Sequence, residues 1–97
     1  MSGQPGDQLD HRRRRARFRA WHRGMRETDL VLGGFADREI ETLSDDELAQ
    51  FEALLEVQDQ EILDWLTGRE KVAAVHDTAL FGRILEASRQ VARPRET

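Results

Sequence analysis

The most conspicuous absence from this chain of 97 residues is cysteine. Without cysteine, the chain cannot form a disulfide, bind a metal through thiolates or use a cysteine nucleophile. A protein without disulfides is suited to a reducing compartment, because thiol oxidation plays no part in its stability. We therefore expect it in the cytoplasm.

Long apolar runs are also missing. No stretch approaches the ~20 apolar residues that span a bilayer, and the N-terminal segment lacks the apolar core of a secretory signal. The arginine-rich start differs from a mitochondrial transit peptide, because Asp7 and Asp10 interrupt it. The missing apolar runs predict that the protein does not insert into a membrane. The length suits one small domain, so we expect a single domain.

Several kinds of functional site lack their sequence signals. The histidines, His11, His22 and His76, do not have the spacing of a metal-ligand pair on one helix, so no metal site is predicted. No glycine-rich loop follows a predicted strand, so this chain alone is not expected to bind a dinucleotide tightly. The acidic residues fall mostly on predicted outer faces, which gives no candidate catalytic residue.

Charge is unevenly distributed along the chain, whose net charge is −4. One segment carries a run of arginines: Arg12, Arg13, Arg14, Arg15, Arg17, Arg19, Arg23 and Arg26. Such a segment can attract nucleic acid, an acidic protein surface or a phosphate group. It can equally be a solvated helix face that pairs with acidic helices of the same protein, and we favour this interpretation for a charge run. The alternative is a small nucleic-acid-binding helical protein that uses the basic arm Arg12–Arg19, although the acidic remainder of the chain opposes it.

The helical domain is predicted to span residues 11–91, between a disordered tail at 1–10 and a flexible tail at 92–97. Phe18, Trp21 and Met25 recur at helical spacing, which predicts a first helix with this stripe inward and its arginines outward. Gly24 is the candidate C′ residue that ends this helix.

A second stripe predicts the next helix: Leu32, Ala36, Ile40 and Leu43. Gly33 and Gly34 lie inside it, and each costs about 1 kcal/mol relative to alanine in a helix. They could bend or break the helix, so the sequence leaves its continuity open.

The clearest local signal is the capping box formed by Ser44 and Glu47. The serine side chain can accept from the Glu47 N–H while the glutamate reaches back, and Leu43 can staple against Leu48. A helix is therefore predicted to begin at Asp45. The apolar face of this helix consists of Leu48, Phe51, Leu54 and Leu55.

Two further helices complete the predicted fold. Asp59 is the candidate cap of a short helix that ends at Gly68, and Asp77 is the candidate start of the last helix. Their stripes are Ile62, Trp65 and Leu66 in the first, and Leu80, Ile84, Leu85 and Val91 in the second. No strand is predicted, so the fold class is all-α, a small five-helix antiparallel bundle. Trp21, Phe51, Trp65 and Phe81 are expected in its core.

The segment Arg23-Gly24-Met25-Arg26-Glu27 is the strongest hint of function, because it places a glycine between opposite charges. In a continuous helix, Arg23 and Glu27 would form an i,i+4 ion pair worth ~0.3–0.5 kcal/mol. The basic residue precedes the acidic one, which is the poorer order in a helix. Spacing alone leaves open whether the segment is functional.

This segment resembles the Arg-Gly-x-x-Glu motif of the succinate dehydrogenase assembly factors, also called flavinylation factors. The resemblance extends from about Arg12 to Gln90 and rests on the order of several further segments. They are Trp21-His22, Phe35-Ala36-Asp37, Leu43-Ser44-Asp45-Asp46-Glu47-Leu48, Phe51-Glu52-Ala53-Leu54-Leu55-Glu56, and Asp59 followed by Trp65-Leu66-Thr67-Gly68.

The resemblance implies that this protein binds the flavoprotein subunit of succinate dehydrogenase, and of fumarate reductase in some cases, and promotes covalent attachment of FAD. In the family's accepted picture, a histidine of the flavoprotein attacks the flavin's 8α-methyl carbon, and the factor holds the flavoprotein in a competent arrangement. The factor is then chaperone-like and not an enzyme, FAD is the partner's ligand, and the location is the bacterial cytosol.

The resemblance also implies which residues bind the partner. Arg23, Gly24 and Glu27 match the motif, with Arg19, His22 and Arg26 as secondary candidates. Gly24 would let the partner approach the backbone, Arg23 would offer a planar donor fork, and Glu27 would accept hydrogen bonds.

Overall fold

The computed structural model describes the backbone of residues 5–92 and the side chains of residues 8–90. It contains five α-helices: α1 Pro5–Trp21, α2 Arg26–Glu39, α3 Asp45–Leu55, α4 Asp59–Leu66 and α5 Ala79–Ala92. Two short 3-10 turns, Ile40–Thr42 and Ala74–His76, lie in the connections. Residues 5–92 contain no strand, so the predicted all-α class and the count of five helices are confirmed.

Helix α1 is longer than predicted at its N-terminal end. It begins at Pro5, so residues 5–10, expected in a disordered tail, are helical, and Leu9 packs against the core. Proline suits a first helical turn, because its missing N–H would have no partner there. The predictions for residues 1–4 and 93–97 lie outside the described residues.

The inward face of α1 also differs from the prediction. The buried residues are Ala16 and Ala20, whereas Phe18 is 63% exposed and Met25 lies beyond the end of the helix. The prediction that Phe18 faces the core is therefore wrong. Small side chains on this face let α1 pack closely on α2 and α3, which are its main neighbours.

Helix α2 runs without interruption through Gly33 and Gly34, which answers the question that the sequence leaves open. The helix ends at Glu39, and the chain continues as a 3-10 turn until Leu43 adopts an extended conformation. The predicted stripe is confirmed as core, since all four of its residues are buried: Leu32, Ala36, Ile40 and Leu43.

The capping box at α3 is confirmed. The Ser44 hydroxyl accepts from the Glu47 N–H at 3.1 Å, and the Glu47 carboxylate accepts from the Ser44 N–H at 2.9 Å. Leu43 and Leu48, the two sides of the predicted staple, are both buried. The start of α3 is thus determined by residues within one turn of each other.

The caps of α4 and α5 differ from the prediction. Asp59 is the first residue of α4 and caps nothing, because its carboxylate is turned towards Arg23. Helix α5 is capped by Thr78, whose hydroxyl accepts from the Phe81 N–H at 3.1 Å, and not by Asp77. Gly68 ends α4 as predicted, with a φ of +80° that favours glycine.

The core lies between the five helices and contains three of the four aromatic residues predicted there. Phe51 packs against Phe35 with their ring centroids 5.9 Å apart, and Trp65 meets Phe81 edge-on at 6.1 Å. Trp21 is only partly buried and lies at the crossing of α1 and α2, against Gly33. This contact packs the end of α1 against α2.

Candidate partner-binding site

The arginines of α1 are bound by the protein's own carboxylates. Arg12 donates to Glu52 at 2.7 Å and to Asp45 at 2.6 Å, which ties α1 to α3. The hydrogen bond to Glu52, followed by that to Asp45, raises the pKa of the Arg12 guanidinium above its ordinary value. The Arg12 guanidinium is therefore engaged by contacts within the protein itself.

Other arginines of the basic arm are engaged in the same way. Arg13 donates to the Leu43 carbonyl at 3.0 Å, and two further contacts, Arg17–Asp37 at 3.0 Å and Arg19–Glu56 at 2.6 Å, are ion pairs. The favoured interpretation, that the arm pairs with the protein's own acidic helices, holds for Arg12, Arg17 and Arg19, whereas Arg14 and Arg15 are exposed and form no ion pair with a described side chain. These pairs leave less positive charge for a phosphate backbone, which argues against the nucleic-acid alternative.

The motif lies in the loop between α1 and α2 and in the first turn of α2. Helix α1 ends at Trp21 and α2 begins at Arg26. Gly24 therefore lies beyond the position of a C′ residue, in the middle of the loop. Its φ of +103° favours glycine, and a Cβ built there would meet nothing within 4 Å. The backbone conformation, and not packing inside this chain, is the reason that glycine is favoured here.

Arg23 points into the protein. Its side chain is 9% exposed, and its Nε donates to Asp59 Oδ1 at 2.5 Å. Its two Nη groups donate to backbone carbonyls at the junction of α3 and α4, to Leu55 at 2.8 Å and to Val57. Three sides of the guanidinium are thus occupied by this chain. This differs from the expectation that Arg23 offers its donor fork to a partner.

The two ends of the loop are tied down by further hydrogen bonds. The Arg23 N–H donates to Asp29 Oδ1 at 3.0 Å, and the Asp29 N–H donates to the Met25 carbonyl at 2.9 Å. The buried Thr28 hydroxyl lies 3.0 Å from Asp59 Oδ1 and 3.1 Å from the Met25 carbonyl. The loop is therefore held by α2 and by the first residue of α4.

Thr28, Asp29 and Asp59 belong to the site and are missing from the sequence-based candidates. One signal for Thr28 was present, because it lies four residues before Leu32 on the stripe that faces the core. A buried hydroxyl on such a stripe needs a hydrogen-bond partner. No comparable local pattern links Asp59 to Arg23.

The remaining motif residues face solvent. Gly24, Arg26 and Glu27 are exposed, and among the described side chains neither Arg26 nor Glu27 forms a hydrogen bond or an ion pair. The helical i,i+4 pair of Arg23 with Glu27 does not form, because the chain leaves the helix between them and Arg23 binds Asp59. Glu27 lies in the first turn of α2, where the helix dipole favours a negative charge.

An aromatic pair adjoins the loop. The exposed His22 ring stacks on Phe18 with centroids 4.0 Å apart, and its Nδ1 lies 2.7 Å from the Phe18 carbonyl oxygen. Phe18 and His22 line a shallow hollow together with Arg19, Arg23 and Leu55. We call the exposed residues His22, Gly24, Arg26 and Glu27 the motif surface.

The described residues give no sign of a metal centre or a membrane segment. Among them, no group of three or more His, Asp or Glu side chains could hold a metal ion. His76 instead packs against Trp65, with ring centroids 5.6 Å apart. No helix within residues 5–92 has the length and apolar character to cross a bilayer.

Comparison with known proteins places this chain in one family. The family described as "Flavinator of succinate dehydrogenase" matches residues 14–88. The FAD assembly factor SdhE of Acetobacter pasteurianus is 43% identical over 88 residues, which cover 91% of this chain and 81% of that protein.

Mitochondrial proteins named succinate dehydrogenase assembly factor 2 are also similar. The protein of Candida glabrata is 32% identical over 80 residues, and that of Saccharomyces cerevisiae is 30% identical over 88 residues. The matches cover 82% and 91% of this chain but only 52% and 54% of the yeast proteins, so the chain spans about half of their length. With residues 14–88 matched by the family and 43% identity to the Acetobacter protein, the chain belongs to the succinate dehydrogenase flavinator family.

Proposed function

We propose that this protein is an assembly factor that binds the flavoprotein subunit of succinate dehydrogenase and promotes its covalent attachment of FAD. Membership of the flavinator family and the names of its relatives support the proposal. The observation that carries it to this chain is the motif surface, whose charged residues Arg26 and Glu27 are exposed and form no hydrogen bond or ion pair with the described side chains.

The motif surface suits recognition of another protein. Arg26 offers a planar donor fork and Glu27 a carboxylate, and both lie within five residues of His22 and Gly24. Gly24 lets a partner's backbone come close, because no Cβ projects from the loop. Arg19 lies at the margin of this surface, where its pairing with Glu56 leaves it partly exposed.

The chemistry is assigned to the partner. The family is described as a flavinator of succinate dehydrogenase, and the relatives are named assembly factors. The factor would act by holding the flavoprotein in the geometry in which its histidine and the flavin react, since fixing reacting groups can remove several kcal/mol of barrier. FAD would remain bound to the flavoprotein throughout. We extend the proposal to the fumarate reductase flavoprotein as a second client, and to the bacterial cytosol as the site of action.

The proposal is tested by in-gel flavin fluorescence of the denatured flavoprotein subunit, produced in a host that lacks its own factor. Covalent flavin is expected with the wild-type chain, and a loss of most of it is expected with Glu27→Ala or without the chain. Glu41→Ala is the matched control, because Glu41 is also exposed in the first turn of a helical element. Equal fluorescence in all samples would exclude this function for this client.

A further inference from the structure

We propose that Arg23 and Asp59 are positioning residues, which fix the motif surface from beneath, and that the motif arginine does not touch the partner. The inference rests on the proposed function, because the surface that they fix is the one assigned to the flavoprotein. In this proposal, the arginine and the glutamate of the motif have different roles. The glutamate faces the partner, and the arginine faces the protein's interior.

The burial of both side chains supports an internal role for Arg23. The Arg23 side chain is 9% exposed and that of Asp59 is 18% exposed. If Arg23 turned outward to reach a partner, it would leave a largely buried carboxylate and the carbonyls of Leu55 and Val57 without their donor. Unpaired buried charges and acceptors are strongly destabilising, so Arg23 is held in place.

Asp59 links the two sides of the exposed segment. Its Oδ1 accepts from Arg23 Nε, just before Gly24, and lies 3.0 Å from the Thr28 hydroxyl, just after Glu27. The segment 24–27 is therefore flanked on both sides by residues that contact one carboxylate oxygen. The same carboxylate is fixed in turn because Asp59 begins α4.

This arrangement explains why the motif needs arginine at position 23. The guanidinium reaches three acceptors in different directions, on Asp59, Leu55 and Val57. A lysine ammonium is a compact charge without the planar fork, so it cannot replace all three contacts at once. A loop held in its binding conformation loses less entropy when the partner binds, and affinity rises accordingly.

The first test uses the free protein and does not depend on any partner. Backbone amide signals of Gly24 and Glu27 are followed by ¹⁵N NMR in Asp59→Asn, Thr28→Val and Thr28→Ser. The first two variants are expected to shift these signals, and Thr28→Ser is expected to restore them because it keeps the hydroxyl. Asp64→Asn, the same change at another position of α4, is the control and should leave them in place. Unmoved signals in Asp59→Asn and Thr28→Val would overturn the inference.

The second test follows the flavoprotein complex. The Arg23 Nε–Hε signal is expected to keep its position when the wild-type chain binds, whereas the Gly24 and Glu27 amides move. Thr28→Val is expected to weaken affinity about tenfold, and Thr28→Ser is expected to recover it. A large shift of the Arg23 side-chain signal on binding would show that the arginine touches the partner and would overturn the inference. If the wild-type chain did not bind, the proposed function would fail, while the free-protein measurement would still decide whether Asp59 positions the loop.

Discussion

The indole ring of Trp21 lies directly against the backbone of Gly33, where α1 crosses α2. A Cβ at Gly33 would stand 2.8 Å from Trp21 Cε3 and closer still to two other ring atoms. Trp21 is also held at its other edge, since its Nε1 donates to Asp37 at 3.2 Å. The glycine at position 33 therefore makes room for the tryptophan that joins the end of α1 to α2.

Gly33→Ala is expected to lower the free energy of unfolding by about 1–3 kcal/mol, because the added methyl group overpacks the helix crossing. Gly34→Ala is the matched control in the same helix. Its Cβ would meet only Arg38 Nη1, at an ordinary 3.5 Å, so it is expected to stabilise the protein by about 0.5–1 kcal/mol. Urea denaturation of both variants measures the difference. Similar effects of the same sign would contradict the role given to the Trp21 contact.

Gly24→Arg is expected to leave the protein helical but abolish flavinylation. The loop has room for a side chain, so the fold should tolerate the change, at a cost of about 1–2 kcal/mol for a positive φ. Gly68→Ala is the control, because Gly68 has a φ of +80° and lies outside the motif. Circular dichroism and in-gel flavin fluorescence are measured on both. Retention of flavin attachment by Gly24→Arg would count against a partner surface at the loop.

Phe18→Ser is expected to weaken binding of the flavoprotein while changing the free energy of unfolding by no more than about 0.5 kcal/mol. Phe18 is 63% exposed and stacks on His22 of the motif surface, so it contributes little to the core and is available to a partner. Val75→Ser is the control, since Val75 is 78% exposed on a different part of the chain. Isothermal titration of both variants distinguishes them. Unchanged affinity in Phe18→Ser would confine the partner surface to the motif.

The chain is expected to show no binding to duplex DNA at physiological salt. Arg12, Arg17 and Arg19 are paired with carboxylates, so fewer arginines of the arm are left to neutralise DNA phosphates and release their counterions, and the net charge of −4 opposes binding although Arg14 and Arg15 are exposed. Fluorescence anisotropy of a labelled duplex, titrated at several salt concentrations, measures this. Affinity that falls steeply with rising salt would revive the nucleic-acid interpretation.

The features that the sequence predicts correctly depend on neighbours a few residues apart. Ser44 and Glu47 cap α3 within a single turn, and Gly68 ends α4 where the backbone needs a positive φ. The stripe through Leu32 and Ile40 is likewise a matter of helical period. Such features follow from local geometry, whatever the rest of the chain does.

The features that the sequence does not predict depend on contacts between distant segments. Periodicity favours the large Phe18 as the inward residue, but the close approach of α2 selects Ala16 and Ala20. Asp59 has the residue type of a helix cap, yet a buried arginine 36 positions away takes its carboxylate. The motif itself is visible in the sequence. Its division into an inward arginine and an outward glutamate depends on tertiary structure.

The position of Trp21 gives the protein an intrinsic optical probe of the motif loop. The chain has two tryptophans, and Trp65 is buried in the core, whereas Trp21 is half-buried at the end of α1, where the loop begins. With Trp65→Phe as the background, the emission wavelength of Trp21 should report solvent access at the helix crossing. Docking of a partner beside the loop can then be followed in stopped-flow experiments without attaching a dye.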